Sequence, residues 1–258
     1  MLRLLVYSIG MLVIGLDPAP AKGGTIFDGA FQHLRPRELG EYLEDLSNRK
    51  DVLICWDAPL TGPQDASQPG QSLRDFTQRP IETFFSRQDY GFKTPLGISV
   101  RGYAGCPHWT ISKAYLGLPR IGPWDRPDTE LPYHLLTTRE FRDSGASGPF
   151  VVEVHPAVAI WRWCVNQLPS DANWLYKKSM DTQKTITNLI MSICPVNVPR
   201  PSNDDELDAL VAWMLGTSWV RGNDGVELLG NGRSGSFLLP HSDDLYRAFD
   251  SFLAAEEI

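Results

Sequence analysis

The stretch MLVIGLDPAPAKGGTIFDG, Met11 to Gly29, constrains this chain more than any other. An apolar run ends in a carboxylate, Asp17, and a Gly/Pro turn follows at once. A second apolar segment, Thr25 to Phe27, comes next. That order predicts a strand, a sharp turn and a second strand. A carboxylate at the end of a buried strand is costly unless a metal ion, a basic partner or exposure at the sheet rim compensates it. The pattern recurs at Val52 to Trp56, a continuous apolar run of the kind expected for a parallel strand buried on both faces. It too ends in a carboxylate, Asp57, followed by Ala58-Pro59-Leu60.

The elements around these strands follow from periodicity. Gly23 to Asp28 reads as the hairpin partner of the first strand. Pro36 to Asn48 has helical spacing, with Leu39, Tyr42, Leu43 and Leu46 on one face. Pro149 to His155 (PFVVEVH) is a buried strand, and a helix starts at Pro156, with proline in the first turn. Asp181 to Cys194 is a helix. Asn203 to Leu215 is the clearest helix in the chain, with Asn203 as N-cap. Ser234 to Leu239 reads as an edge strand and Asp243 to Ala255 as a terminal helix. Residues 61–148 are rich in Gly, Pro and aromatics, with weak periodicity. They read as a long loop-rich insertion within one domain spanning 1–258, with short helices near Ser72 to Gln88 and Thr110 to Leu116. Strands alternating with helices after an initial hairpin predict an α/β fold with a mixed five-stranded sheet flanked by helices. Right-handed crossovers place the strand ending at Asp57 beside the strand ending at Asp17. Sites in such sheets lie outside the carboxyl ends of the parallel strands.

Composition narrows the partners. Hydrophobic content of 42% and charged content of 21% are ordinary for a folded chain. A net charge of −7 argues against a surface that binds nucleic acid everywhere. The charge is uneven, however. Gln71 to Arg126 carries eight basic and four acidic residues, while Asn203 to Ile258 carries three and eleven. Cys55, Cys106, Cys164 and Cys194 form no CxxC pair, so neither a zinc site nor a disulfide framework is indicated, and a reducing, cytoplasmic setting is the plainer reading. Arg3, the apolar run Leu4 to Leu16 and Ala19-Pro20-Ala21 imitate a secretory signal. The run is too short to cross a bilayer, and it contains Gly10, Gly15 and a good buried strand. Export is therefore the minor reading, no membrane partner is expected, and Met11 is an alternative start to Met1.

The chemistry-bearing residues are carboxylates. Glu153 interrupts a strand and shares a side with Val151 and His155. In Asn203-Asp204-Asp205-Glu206-Leu207-Asp208, Asp205 and Asp208 share a helical face, and Asp208 adjoins the apolar one. Hard oxygen ligands from several elements suit Mg²⁺ or Mn²⁺. Two such ions about 3.5–4 Å apart can activate a water and stabilise a leaving oxygen on one phosphate. Each acid also has a plainer account. Asp204, Asp205 and Glu206 suit a helix first turn, Asp17 and Asp57 precede turns, and Glu153 can pair with an arginine. Jointly they point to a metal site. Arg74 follows the Asp57 turn within a basic and aromatic stretch that suits phosphates and bases, although a loop-rich lobe holding its own small aromatic core is the plainer account of the aromatics. Lys22 is placed to reach a phosphate, although a solvated turn lysine is the plainer account. His155 can orient a carboxylate, act as a base, bind metal or contact substrate, or be a satisfied core histidine. Cys106-Pro107-His108 has no partner spacing, and no GxxxxGK[ST] loop is present.

The blocks DPAPAKGG, ICWDAPLTG, VVEVHPA and DDELDALVAWMLG resemble those of the domain-of-unknown-function family 429, a set of predicted nucleases regarded as RNase H-like. The pattern is also similar to RuvC-type resolvases, whose last helix carries acids in DxxD spacing. The resemblance implies an RNase H-like sheet and a metal-dependent nuclease acting on DNA or RNA. Asp17 then matches the first-strand catalytic aspartate, Asp57 the acid on the neighbouring strand, and Asp205 and Asp208 the helix pair. Glu153 matches an E-x-x-P motif. Many relatives carry a GxxGGW-like turn after the first aspartate. Here the Gly-Gly is kept and the aromatic is absent. The rivals are a non-catalytic binding or scaffold protein of the same fold, and an actin-like ATPase or phosphotransferase.

Overall fold

A computed structural model describes residues 10–19, 21–61, 79–95, 107–117, 132–137, 148–194, 196–222, 225–232 and 234–256. In chain order the elements are β1 (Leu12–Ala19), β2 (Gly23–Phe27), β3 (Phe31–Leu34), α1 (Pro36–Ser47), β4 (Val52–Trp56), α2 (Pro80–Ser86), α3 (Pro107–Leu116), β5 (His134–Leu136), β6 (Phe150–Glu153), α4 (Pro156–Cys164), α5 (Met180–Ile193), α6 (Asp204–Val220), β7 (Val226–Asn231), β8 (Gly235–Pro240) and α7 (Asp243–Ala255). The chain is α/β, built on a six-stranded sheet of order β3-β2-β1-β4-β6-β5. β1, β2 and β3 form an antiparallel meander. β4 runs parallel to β1, β6 parallel to β4, and β5 parallel to β6.

Five strands were expected, and the main sheet has six. The additions are β3 and β5, only four and three residues long, too short for alternation to register in the sequence. β5 comes from residues 61–148, so that stretch contributes to the sheet itself. Ser234 to Leu239 does not close the main sheet. It pairs with β7 in a separate two-stranded ribbon, tied to the end of β6 by a parallel bridge between Leu238 and Val154. α6 continues beyond Leu215 to Val220.

Both faces of the sheet are covered. Ile14, Leu16, Ile54, Trp56 and Val151 pack against Leu39, Leu43 and Leu46 of α1 and Ile111 and Leu116 of α3. Val13, Leu53, Cys55, Phe150 and Val152 join the larger cluster with α6, α4 and the β7–β8 ribbon. Nearly every α6 residue from Glu206 to Thr217 is buried, which explains why its sequence is apolar all round.

Two glycines set how α6 meets the sheet. A Cβ on Gly15 would lie 2.0 Å from the Ala209 carbonyl oxygen and 2.5 Å from the Trp213 nitrogen, and one on Gly216 would lie 2.3 Å from Cys55 Sγ. The helix therefore rests on β1 backbone to backbone. The β1–β2 turn has its own requirement. Gly23 has φ +98, and a Cβ there would stand 1.8 Å from the Leu34 carbonyl.

Candidate functional site

β1 and β4 end level with one another. Leu16 pairs with Trp56 across the parallel ladder, and the Asp57 N–H donates to the Leu16 carbonyl at 3.0 Å. Asp17 and Asp57 are thus equivalent steps on adjacent strands. Alternation aims both at the α6 face, as it does Val13 and Cys55. α6 lies over β1 and delivers Asp208, which is fully buried, to the same place. Asp17 is 8% exposed. No hydrogen bond reaches the Asp17 or Asp57 carboxylate among the described residues.

The three acids act on one another. Burial first, then Asp57 and Asp208, push the Asp17 carboxyl well above the usual range. Burial and then Asp208 push Asp57 up to about 8, against the pull of Lys177. Burial also raises Asp208, against Lys177 and Tyr176. Asp205 is exposed and is the last of the charges felt by Asp17. Of the DxxD pair, then, Asp208 faces the sheet and Asp205 stands at the rim.

One oxygen of Asp208 accepts a hydrogen bond and the other faces a cation. The Tyr176 hydroxyl donates to Oδ1 at 2.6 Å, and Lys177 Nζ lies 2.5 Å from Oδ2. The Lys177 ammonium is held protonated chiefly by Asp208, with further contributions from Asp57 and Asp17. Sequence reasoning missed this pair, because residues 165–179 lack a helical or strand period. The available signal was Trp174 and Tyr176 at alternate positions, both of them buried. Such aromatics mark an ordered segment rather than a solvated loop.

Glu153 sits differently. It pairs with Trp56, one step before Asp57, and its charge still reaches Asp57 and adds to the rise of that carboxyl. Arg79, fully buried, bonds both of its oxygens, with Nη1 2.8 Å from Oε2 and Nη2 on Oε1. Glu153 Oε2 also accepts the Leu60 N–H at 2.9 Å. Arg79 Nη1 reaches the Thr61 hydroxyl at 3.0 Å, and Arg79 Nε donates to Glu82 at 2.9 Å. The arginine partner foreseen as the plain account of Glu153 is therefore present. The pair clamps the Asp57–Thr61 turn. Arg79, one of the basic residues of the Gln71 to Arg126 stretch, belongs to this clamp.

Two of the other candidates stand apart from the acids. Lys22 is exposed on the β1–β2 turn. His155 caps the start of α4, with its ring edge-on to Phe237 at 5.2 Å. Arg74 lies outside the described residues. A neighbouring row went unnoticed in the sequence. Thr25 pairs with Asp17 on one side and His33 on the other. His33 Nδ1 lies 3.1 Å from Thr25 Oγ1, and Nε2 lies 2.9 Å from Glu206 Oε1. This places a half-exposed imidazole beside the acids.

Among the described residues, no three His, Cys, Asp or Glu side chains are drawn close enough to form a ready-made metal cage. The donor chemistry still fits a hard divalent cation. Asp17, Asp57 and Asp208 lie within electrostatic reach of one ammonium, so the cluster carries surplus negative charge whenever its acids are ionised. Asp17 and Asp57 have oxygens to give. No helix among the described residues is long and apolar enough to cross a membrane. No protein-family model, curated protein or solved structure matches the chain significantly.

Proposed function

We propose that this chain is a divalent-metal-dependent phosphodiesterase, and within that class a nuclease of RNase H-like fold acting on DNA or RNA. The observation that carries the reading is the meeting of Asp17, Asp57 and Asp208 at the carboxyl ends of β1 and β4, beneath α6. The antiparallel meander β1–β3, continued by parallel β4 and β6, supports the RNase H-like assignment. Asp17 and Asp57 would hold Mg²⁺ or Mn²⁺, with Asp208 behind them and Asp205 at the rim. The bound ion would activate water and offset charge on the phosphate. The chain's own residues orient the acids and keep bulk water from Asp17 and Asp208. Hydrolysis is direct, with no covalent enzyme intermediate.

The ion pair between Lys177 and Asp208 favours a second reading, a metal-free binding module whose acids are neutralised internally. An actin-like phosphotransferase fits less well. Such proteins need two similar sheets, and the described residues hold one large sheet and a two-stranded ribbon. Thermal melting with Mn²⁺, or with ATP, separates the three. Stabilisation by Mn²⁺ that disappears in Asp17→Asn supports the nuclease. No response of the wild type to Mn²⁺ removes its basis, and stabilisation by ATP alone points to the phosphotransferase.

A further inference from the structure

Counting free oxygens limits what the site can hold. Asp208 accepts the Tyr176 hydroxyl on Oδ1, and its Oδ2 faces the Lys177 ammonium as an ion pair without a hydrogen bond formed there. Glu153 gives both oxygens to Arg79 and one of them also to Leu60. Asp205 is exposed at the rim. Among the described residues, Asp17 and Asp57 are the inward acids whose oxygens meet neither a hydrogen-bond donor nor a paired cation. Two carboxylates suffice for one divalent ion that keeps several waters. A second ion would have to draw its ligands from Asp208, whose oxygens already face Tyr176 and Lys177, or from Asp205 at the rim.

The positive charge that a second ion would bring is already present. Lys177 Nζ is fixed on Asp208, and the Lys177 side chain is half exposed, so it faces both the acids and solvent. Tyr176, its neighbour in the chain, is buried and grips the other oxygen of the same carboxylate. The ammonium is thus seated on a carboxylate that Tyr176 itself holds in place. An ammonium is a compact point charge that binds phosphate oxygens well.

We propose that the site works with one divalent ion, and that Lys177 is a catalytic residue that takes the second ion's place against the substrate phosphate, with Asp208 and Tyr176 as its positioning residues. This rests on the nuclease reading and replaces its two-metal form. In the reaction, the oxygen of water forms a new bond to phosphorus and the bond to the leaving oxygen breaks, taking its electron pair. The water releases one proton and the leaving oxygen takes one up, so the count balances. Lys177 stays charged throughout and offsets the negative charge on the oxygens of the phosphate.

The test is Mn²⁺ stoichiometry and affinity, by calorimetry and by the electron paramagnetic resonance of the free ion. Cleavage of labelled DNA and RNA oligonucleotides and of bis(4-nitrophenyl) phosphate is measured alongside. The full chain is compared with Lys177→Met and Lys177→Arg. One ion per wild-type chain is expected. Lys177→Met should bind Mn²⁺ at least tenfold more tightly, because a like charge is gone, yet lose cleavage at least a hundredfold. Lys177→Arg should keep the single ion and part of the activity. A purely structural lysine would not move affinity and turnover in opposite directions. Two ions in the wild type, or looser Mn²⁺ binding or undiminished cleavage in Lys177→Met, overturns the role of Lys177 and leaves the nuclease reading standing. No Mn²⁺ binding or no cleavage by the wild type overturns both.

Discussion

Burial and two neighbouring acids push the Asp17 carboxyl well above the usual range in the metal-free protein. Asp17→Asn keeps the shape and removes the charge. The metal-free variant should melt at or above the wild type, while Mn²⁺ no longer raises its melting temperature. Cleavage should fall by at least about a hundredfold, since a bound ion contributes several kcal/mol of charge stabilisation. Asp57 gives a pH signature. Its folded pKa of about 8 lies above the ordinary carboxylate value. The stabilisation from its neutral form is complete below the unfolded pKa and is lost as pH rises through the folded one. Melting of the metal-free protein should therefore fall between roughly pH 5 and pH 8. Mn²⁺ affinity should climb across the same window, because the ion competes with the proton. A flat melting temperature over that range would contradict the burial argument. Asp17 and Asp57 were legible in the sequence because each ends an apolar run. Lys177 was not, because a lysine in an aperiodic loop looks the same whether it faces solvent or an acid.

Elements place these residues, and close contact places the elements. Gly15→Ala puts a methyl group into the Ala209 carbonyl. Overpacking of this kind costs about 1–3 kcal/mol, to be read as a lower urea midpoint with an unchanged slope. The same variant should bind Mn²⁺ more weakly, since lifting α6 carries Asp208 away from Asp17. The clamp on the Asp57–Thr61 turn is a second case. Arg79→Met leaves Glu153 buried without its cation, and breaking such a pair costs about 3–5 kcal/mol. Replacing both with Arg79→Met and Glu153→Leu should recover part of that loss in the same denaturation experiment. α1, β4 and α6 could be read from periodicity. β3 and β5 could not, for strands of three or four residues leave too little alternation. The mate of Glu153 was foreseen as some arginine. Its identity as Arg79 depended on a contact 74 residues apart, which no local pattern encodes.

At the scale of the whole molecule, the α/β class and the neighbouring placement of the Asp17 and Asp57 strands followed from alternation and crossover handedness, and both are present. The role of residues 61–148 did not follow. Their composition suggested a loop-rich insertion, yet β5 lies in the sheet and Phe84 and Phe85 of α2 lie in the larger core. Gly and Pro blur periodicity without preventing burial. The position of β1 has one more consequence. It is an interior strand, paired on both edges and covered on one face by the helix that carries Asp208. In the wild-type packing, separating Asp17 from Asp208 means lifting α6 from the sheet, which exposes the larger core. In deuterated solvent, the amides of Val13 to Leu16 and of Leu210 to Leu215 should exchange last and at a common rate equal to that of global unfolding. Faster exchange in either segment alone would reveal a sub-global opening. On this architecture, the acids stay assembled for as long as the chain stays folded.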